Sequence, residues 1–423
     1  GLYMPEYIPN VTREELEAFK TKEYYEIAYN IISKYVQDEI SSTELLNLAK
    51  DSYNYDVPLE KVYDNNYVMR LDRGPTASFK DFAARMMGRL MQHFLKQENK
   101  NMLILTATSG DTGSAIANAF YGLDKIRVII LFPKNEVTDR QRKQMTTLNK
   151  NITVLAVDGK FDDCQQMVKK AFADEDLSFL HLSSANSINI GRLIPQSVYY
   201  FWAWAKLSSS INDKIIFSVP SGNFGNLMGG IIAKHMGLPV EKFVVSTNEN
   251  DEVPKYLNSG NYELIIPSKN CISSAMNVGH PSNMARVIDL YKGMMDEKGQ
   301  IHKQPIMDIL KKDLYAVSIN DNKTRKTIEE AYKRYNILLE PHGAVAWAGL
   351  MQFYSENNNY NNPLQLAVSL ETAHPAKFPQ EIQSILGIDP ELPESMKDLD
   401  NKEEIMIEIE NQYNIFKEFL INY

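Results

Sequence analysis

One lysine stands between a turn and a helix in "GPTASFKDFAAR" (74–85). Pro75 marks the turn. Phe82, Met86, Leu90 and Phe94 recur every four residues, and Met87 and Met91 widen the stripe, which marks an amphipathic helix. Lys80 therefore falls near a helix N-terminus, where free N–H groups and the helix dipole disfavour an ammonium. Attack on a carbonyl requires a neutral amine, so the position suits covalent amine chemistry. A solvated lysine beside Asp81 fits the same stretch.

Three further stretches offer grips for anions. "TATSGDTGSAIANAFYG" (106–122) ends a strand, makes a glycine loop and opens a helix. Thr108, Ser109, Asp111 and Thr112 lie there among free helix N–H groups, which suits a carboxylate or phosphate; an N-capped strand–helix turn reads the same way. "VPSGNFGNLMGG" (219–230) repeats the logic, with Gly222 and Gly225 permitting close backbone approach and Asn223 and Asn226 adding donors. No GK[ST] follows and the glycines do not fall as GxGxxG, so a phosphate outside ATP or NAD is the better match. "SSANSINIGR" (183–192) gathers Asn186, Ser187, Asn189 and Arg192, a donor set for phosphate or carboxylate, or else a polar loop ahead of a helix. "SLETAHPAKF" (369–378) carries Thr372, His374 and Lys377 at a strand end, where open α/β sheets place ligands. His374 there could serve as acid or base, or be structural.

These stretches need a scaffold, and the pattern between them supplies one. Short apolar runs at 101–109, 127–133, 152–158, 215–220, 243–248, 315–320 and 364–372 read as buried strands. Helical patterns occupy 139–149, 161–173, 192–207, 226–236, 323–335 and 342–354 between them. Strands alternating with helices predict an α/β fold of parallel sheets covered on both faces. Residues 10–50 read as mostly helical, 355–363 as a solvated polar loop, and "NKEEIMIEIENQYNIFKEFL" (401–420) as one amphipathic helix.

With 423 residues the chain is large enough for two domains. Its net charge of −9 and lack of a basic run argue against nucleic acid or an anionic membrane as partner. Cys164 and Cys271 form no CxxC pair, and the 7 histidines show no HExxH spacing, so no metal is expected. No run is long enough to span a bilayer, and the expected compartment is the cytoplasm. A chain opening on Gly1 reads as a processed form or an incomplete N-terminus.

Together, "GPTASFKDFAAR", "LTATSGDTGSAIANAFYG", "VDGKFDDCQQMVKKAF", "SSANSINIGR", "VPSGNFGNL", "EPHGAVAW" and "ETAHPAKF" resemble the ordered motifs of the threonine synthase family, in its bacterial and fungal branch. The resemblance runs from about Gly1 to about Leu386. It implies a fold type II pyridoxal-phosphate enzyme with two doubly wound domains, tryptophan synthase β-like, and a helical N-terminal segment. The expected partition is 1–60 for that segment, 61–95 with 206–423 for a large cofactor-binding domain, and 96–205 for a small one.

The resemblance also implies roles. Lys80 looks like the lysine that forms the Schiff base with pyridoxal 5'-phosphate. Gly222, Asn223, Phe224, Gly225 and Asn226 look like the loop for the cofactor phosphate. Thr372 looks like the hydroxyl facing the pyridine nitrogen, which such a neutral group would leave largely unprotonated. Thr108, Ser109, Asp111 and Thr112 look like the grip on the substrate α-carboxylate, and Asn186, Ser187 and Arg192 like the pocket for the substrate's own phosphate. The implied reaction converts O-phospho-L-homoserine and water to L-threonine and inorganic phosphate by γ-elimination and β-hydration, the last step of threonine biosynthesis. The expected assembly is a monomer or weak homodimer. A threonine/serine dehydratase or a β-replacement enzyme would share Lys80 and "SGNFG" but needs no second phosphate pocket. A non-catalytic ligand-binding relative is the reading from another class. Asp111 stands where some relatives carry Asn, and the resemblance assigns no role to Asp81, His374 or Lys377.

Overall fold

The computed structural model describes residues 2–36 and 38–423, so the reading of Gly1 lies outside the described residues. In chain order the strands are β1 (Leu59–Tyr63), β2 (Asn66–Arg70), β3 (Met102–Ala107), β4 (Ile126–Pro133), β5 (Ile152–Asp158), β6 (Leu182–Ser183), β7 (Ile215–Pro220), β8 (Val240–Thr247), β9 (Met294–Met295), β10 (Ile301–Lys303), β11 (Leu314–Ser318), β12 (Leu366–Glu371) and β13 (Ile407–Glu410). Each strand expected from an apolar run is present. Runs such as IIFSVP, buried at every position, exclude water from both faces, as a strand covered by helices on both sides must.

The chain divides into two compact units. One comprises Gly1–Arg73 and Leu193–Pro390. Its sheet has the order β1-β2-β12-β7-β8-β11, parallel except for the β1–β2 hairpin. The register pairs Asn66 with Ala367 and Arg70 with Glu371, which brings Arg70 beside the end of β12. The expected N-terminal helices are present as Arg13–Phe19, Tyr24–Val36 and Ser42–Ser52. They pack on the helix Ile190–Leu207: the Phe19 and Phe201 rings meet edge-on at 6.0 Å, and Trp202 Nε1 donates to Val57 O at 2.9 Å. Under β7 and β8, Tyr200, Phe217 and Phe243 form an aromatic cluster with centroids 4.9–6.1 Å apart.

The other unit comprises Gly74–Arg192 and Glu391–Tyr423. Its sheet, β13-β5-β4-β3-β6, is parallel throughout. One face packs Ile104, Val128, Ile130 and Val154 under the helices Lys80–Glu98 and Asp111–Phe120. The other packs Leu103, Ile129, Leu131 and Leu155 against Phe161–Ala173 and Tyr413–Asn422.

Two expectations differ from this structure. The segment 401–420 is not one helix: Ile407–Glu410 forms β13 on the edge of β5, and the helix begins at Tyr413. The short IEIE alternation has period two and buries Ile409, which a 3.6-residue reading of the whole segment averages away. The partition also differs. Residues 74–95 fall with the smaller unit because their helix packs on Asp111–Phe120, residues 193–205 fall with the larger, and 391–423 return to the smaller through β13. Among the described residues, no helix is long and apolar enough to cross a membrane.

Candidate active site

In the smaller unit, Lys80 is the first residue of the helix Lys80–Glu98, and its side chain is only 13% exposed. Nζ lies 3.7 Å from Asp111 Oδ2 and 4.8 Å from the centroid of the Phe79 ring. Asp81 is fully buried and points back into the preceding turn. It accepts from Thr76 N at 2.9 Å and Thr76 Oγ1 at 2.6 Å, so the residue after the lysine pins the turn before it.

Asp111 opens the helix Asp111–Phe120, directly after β3. Its Oδ1 accepts from Gln141 Nε2 at 2.9 Å, which leaves Oδ2 toward Lys80. Gly110 has φ +132°, and a Cβ there would stand 2.6 Å from Gln141 Cδ; the loop closes only without a side chain. Thr108 is buried, and its hydroxyl accepts from Gly110 N at 2.9 Å and Gly113 N at 2.8 Å, holding the loop together from inside. Ser109 and Thr112 are half-buried on the same loop.

The pairing of β3 with β6 sets the 184–192 loop beside this one. Asn186 Nδ2 donates to Ala107 O at 3.3 Å, while its Oδ1 is buried with no hydrogen-bond partner among the described residues. Arg192 is 2% exposed and donates from Nη1 to Ala185 O at 2.5 Å; Ser187 is half-buried. Lys80, Asp111, Thr108 and Asn186 thus gather at the carboxyl end of the parallel strands. Gln141 was not foreseen. Thr138 and Gln141 form a capping box, a signal that marks a helix start and says nothing of Asp111.

In the larger unit, β7 runs into the loop Ser221–Phe224 and the helix Gly225–His235. Phe224 is left-handed (φ +60°), and no side chain caps the helix, whose first-turn N–H groups face forward. A Cβ at Gly222 would meet Ala275 O at 2.9 Å and Met276 Cα at 3.0 Å, so only glycine lets the two backbones approach. Asn223 is half-buried, and its carbonyl accepts from Asn283 Nδ2 at 2.9 Å; Arg286 Nη1 in turn holds Asn283 Oδ1 at 2.7 Å. Asn226 Oδ1 accepts from Tyr199 and Tyr200 hydroxyls at 2.6 and 2.7 Å. Burial keeps Tyr200 a neutral phenol by raising its pKa well above the usual value. Asn226 Nδ2 is left as a buried donor without a partner among the described residues. Such a donor costs about 1–3 kcal/mol unless an acceptor reaches it.

Thr372 follows β12, buried, with its hydroxyl 3.3 Å from Glu340 Oε1. Glu340 caps the helix Pro341–Glu356: Oε1 accepts from Gly343 N at 3.0 Å and Oε2 from His342 N at 2.7 Å and His342 Nδ1 at 2.5 Å. His374 was a possible acid or base. Burial lowers its pKa to about 4, and Nδ1 accepts from Ala376 N at 3.2 Å, so the neutral ring caps a short turn. Lys377 is fully buried. Glu340, His342, Tyr199 and Tyr200 were missed as functional candidates, because each acts through a neighbour distant in sequence.

The family model described as "Pyridoxal-phosphate dependent enzyme" matches residues 36–361. "Threonine synthase N terminus" matches residues 1–53 and "Threonine synthase, C-terminal" residues 344–420. Over 426 residues the chain is 39% identical to a threonine synthase of Haemophilus influenzae, covering 100% of this chain and 93% of that one. It is 38% identical over 425 residues to a threonine synthase of Buchnera aphidicola from Schizaphis graminum, with the same coverage. The pyridoxal-phosphate-bound crystal structure of threonine synthase from Brucella melitensis superposes with a TM-score of 0.91 at 33% identity, over 100% of this chain and 93% of that one.

Proposed function

The chain belongs to the threonine synthase family of pyridoxal-phosphate-dependent enzymes, and on that premise we propose that its buried polar residues divide between holding the cofactor and turning O-phospho-L-homoserine and water into L-threonine and phosphate. The single observation that carries the cofactor assignment is Asn226 Nδ2, a buried donor without a partner, fixed in direction by two tyrosines on its own carbonyl oxygen. Beside it stand an uncapped helix N-terminus and a backbone that Gly222 lets approach closely. This set contains donors and no carboxylate, which fits a phosphate. Gly222, Asn223, Phe224, Gly225 and Asn226 would hold the cofactor phosphate, Thr372 would face the ring nitrogen, and Lys80 would hold the cofactor covalently. When bound, the cofactor supplies an electron sink for charge developing at the substrate α carbon.

Lys80 Nζ takes the proton from the substrate α carbon and then shuttles a proton at the β carbon. Asp111 Oδ2, 3.7 Å from Nζ, is the counter-charge available when that amine carries a proton. Ser109, Asp111 and Thr112, with the loop that Thr108 closes, are assigned to the substrate α-carboxylate. The backbone N–H groups at the start of Asp111–Phe120 favour an anion there. Asn186, Ser187 and Arg192 are assigned to the substrate phosphate, with Arg192 supplying the charge. The phosphate leaves from the γ carbon, water supplies the hydroxyl at the β carbon, and the γ carbon ends as the methyl group. The proposed compartment is the cytoplasm, and the proposed assembly a monomer or weak homodimer.

The deciding experiment is phosphate release from O-phospho-L-homoserine by the holoenzyme, with the amino-acid product identified. Stoichiometric threonine and phosphate are expected. Turnover of serine or O-acetylserine without phosphate release from phosphohomoserine would overturn the reading.

A further inference from the structure

Three side chains from separate elements of the larger unit converge on one point. Glu249 follows β8, Cys271 stands in the loop after the helix Glu252–Ser259, and Asp321 opens the helix Asp321–Tyr335. The thiol sulfur and one oxygen of each carboxylate all lie within 4.8 Å of one another. Cys271 is only 8% exposed, and the two acids are half-buried. Neither carboxylate has an ion-pair partner among the described residues. Lys269, the basic neighbour that acts on the thiol, is exposed and pairs with neither. Two carboxylates drawn this close repel each other, and a cation between them reverses the sign of that interaction.

The surroundings hold the three donors in place. Asn248 and Asn250 flank Glu249, and both are tied to the Cys271 loop. Asn248 Nδ2 donates to Asn277 Oδ1 at 2.9 Å, and Cys271 N donates to the same oxygen at 3.1 Å. Asn250 Nδ2 donates to Lys269 O at 3.0 Å, and its Oδ1 accepts from Lys269 N at 2.7 Å. Asp321 Oδ1 accepts from Ile272 N at 3.1 Å, which orients that carboxylate beside Cys271. The Glu249 backbone hydrogen-bonds to the sulfur, a contact that favours the thiolate. As a donor, the thiol has only a 4.0 Å approach to Lys269 O, too long to hold its proton firmly.

We propose that Glu249, Cys271 and Asp321 bind one divalent cation of the zinc class, with water completing a tetrahedral shell. A sulfur ligand selects against Mg2+ and Ca2+, which take oxygen donors, and a thiolate with carboxylates suits Zn2+. Bonds of about 2.3 Å to sulfur and about 2.0–2.2 Å to oxygen set tetrahedral donors about 3.5 Å apart, a contraction within reach of side-chain rotation. On binding, the thiol releases its proton to solvent and the sulfur–metal bond forms in its place. The ion is structural: it braces the Cys271 loop, whose Ala275 and Met276 backbones stand against Gly222. The ligands are spread along the chain, so no short cysteine or histidine spacing announces them.

The test uses tag-free holoenzyme, stripped with a chelator and titrated with Co2+ alone and then with Zn2+. One equivalent of Co2+ should give a thiolate-to-metal charge-transfer band in the near-ultraviolet difference spectrum, and Zn2+ should displace it. Cys271→Ser should remove the band. Asp321→Asn should weaken Zn2+ binding more than about 100-fold, beyond the loss for an outer partner. Cys164→Ser, which alters the other buried thiol, should leave band and affinity unchanged. Circular dichroism establishes that each variant is folded, and the wild-type spectrum decides by itself should one of them not be. No band in the wild type, a band that survives Cys271→Ser, or unchanged Zn2+ affinity in Asp321→Asn would overturn the site. Zn2+ should also raise the urea midpoint of the wild type and not that of Cys271→Ser; no rise would overturn the bracing role. None of these readouts depends on turnover of phosphohomoserine.

Discussion

At the residue scale, Lys80 and Asn226 carry the most weight because each has a geometry that one substitution removes cleanly. Lys80→Ala deletes the amine that the proposed reaction uses both to hold the cofactor and to move protons. Turnover should fall more than about 1,000-fold, at the upper part of the range for losing a general base. The visible absorbance that cofactor gains on covalent attachment should vanish; a variant with wild-type phosphate release would remove Lys80 from the mechanism. Asn226→Asp keeps the side-chain shape and the oxygen that Tyr199 and Tyr200 hold, but replaces the buried donor with an acceptor. Two anionic groups would then meet at the loop. Cofactor affinity measured by fluorescence titration should weaken at least about tenfold, the equivalent of ~1.4 kcal/mol. Unchanged affinity would mean that phosphate does not reach Nδ2.

At the element scale, the turn before the Lys80 helix is held by that helix's own second residue. Asp81 accepts two hydrogen bonds from Thr76, Gln144 Nε2 donates to Thr76 O at 3.0 Å, and Ala77 between them adopts φ +55°. Asp81→Ala removes the carboxylate that accepts two buried hydrogen bonds from Thr76, a loss of about 1–3 kcal/mol in stability. The Lys80 amine would also lose its fixed approach, lowering kcat by about 10–100-fold, since small misplacements of reacting groups are felt strongly. Urea unfolding and steady-state rates check the two effects; a variant within ~0.5 kcal/mol of wild type, the ordinary scatter of surface substitutions, would show that the turn is held otherwise. Elements were legible where burial is uniform. IIFSVP and the VIILFP part of β4 are apolar on both faces, so they announce parallel strands without help from their surroundings. The β1–β2 hairpin was not legible: LEKVY and NYVMR mix charges with apolar residues, and the turn at Asp64, with φ +44°, lacks glycine. The glycine loops and Lys80 announce themselves by type and spacing. Glu340 and His342 do not, since their partners Thr372 and Ala275 are joined to them only by the fold.

At the scale of the whole molecule, the chain passes between its two units after Arg73, Arg192 and Pro390, and local hydrophobic pattern cannot say which sheet a strand will join. The expected partition put 74–95 and 391–423 with the larger unit, whereas the contacts of the Lys80 helix and of β13 group them with the smaller. The stability of the folded chain also answers to a buried acid that no motif announced. Glu252 stands in the first turn of the helix Glu252–Ser259, 2% exposed, with Oε2 buried and without a partner among the described residues. Burial, reinforced by the Asp251 charge, raises its pKa from 4.5 to about 8 against the opposing pull of a backbone hydrogen bond and Lys255. Below pH 4.5 Glu252 is protonated whether the chain is folded or not, and its contribution to stability is fully present. Between 4.5 and about 8 the unfolded chain gives up the proton while the folded chain keeps it, so folding takes up a proton and stability falls as pH rises. Above about 8 both forms are ionised and the contribution is gone. Glu252→Gln places a neutral group of the same shape in the same site and should cancel this slope. Urea midpoints measured from about pH 5 to about pH 8, across the range where the two forms differ, should decline for the wild type and decline less for the variant, with the largest gain of the variant at the alkaline end. Parallel lines for the two proteins would mean that Glu252 is ionised in the folded chain, with water reaching a carboxylate that packing encloses.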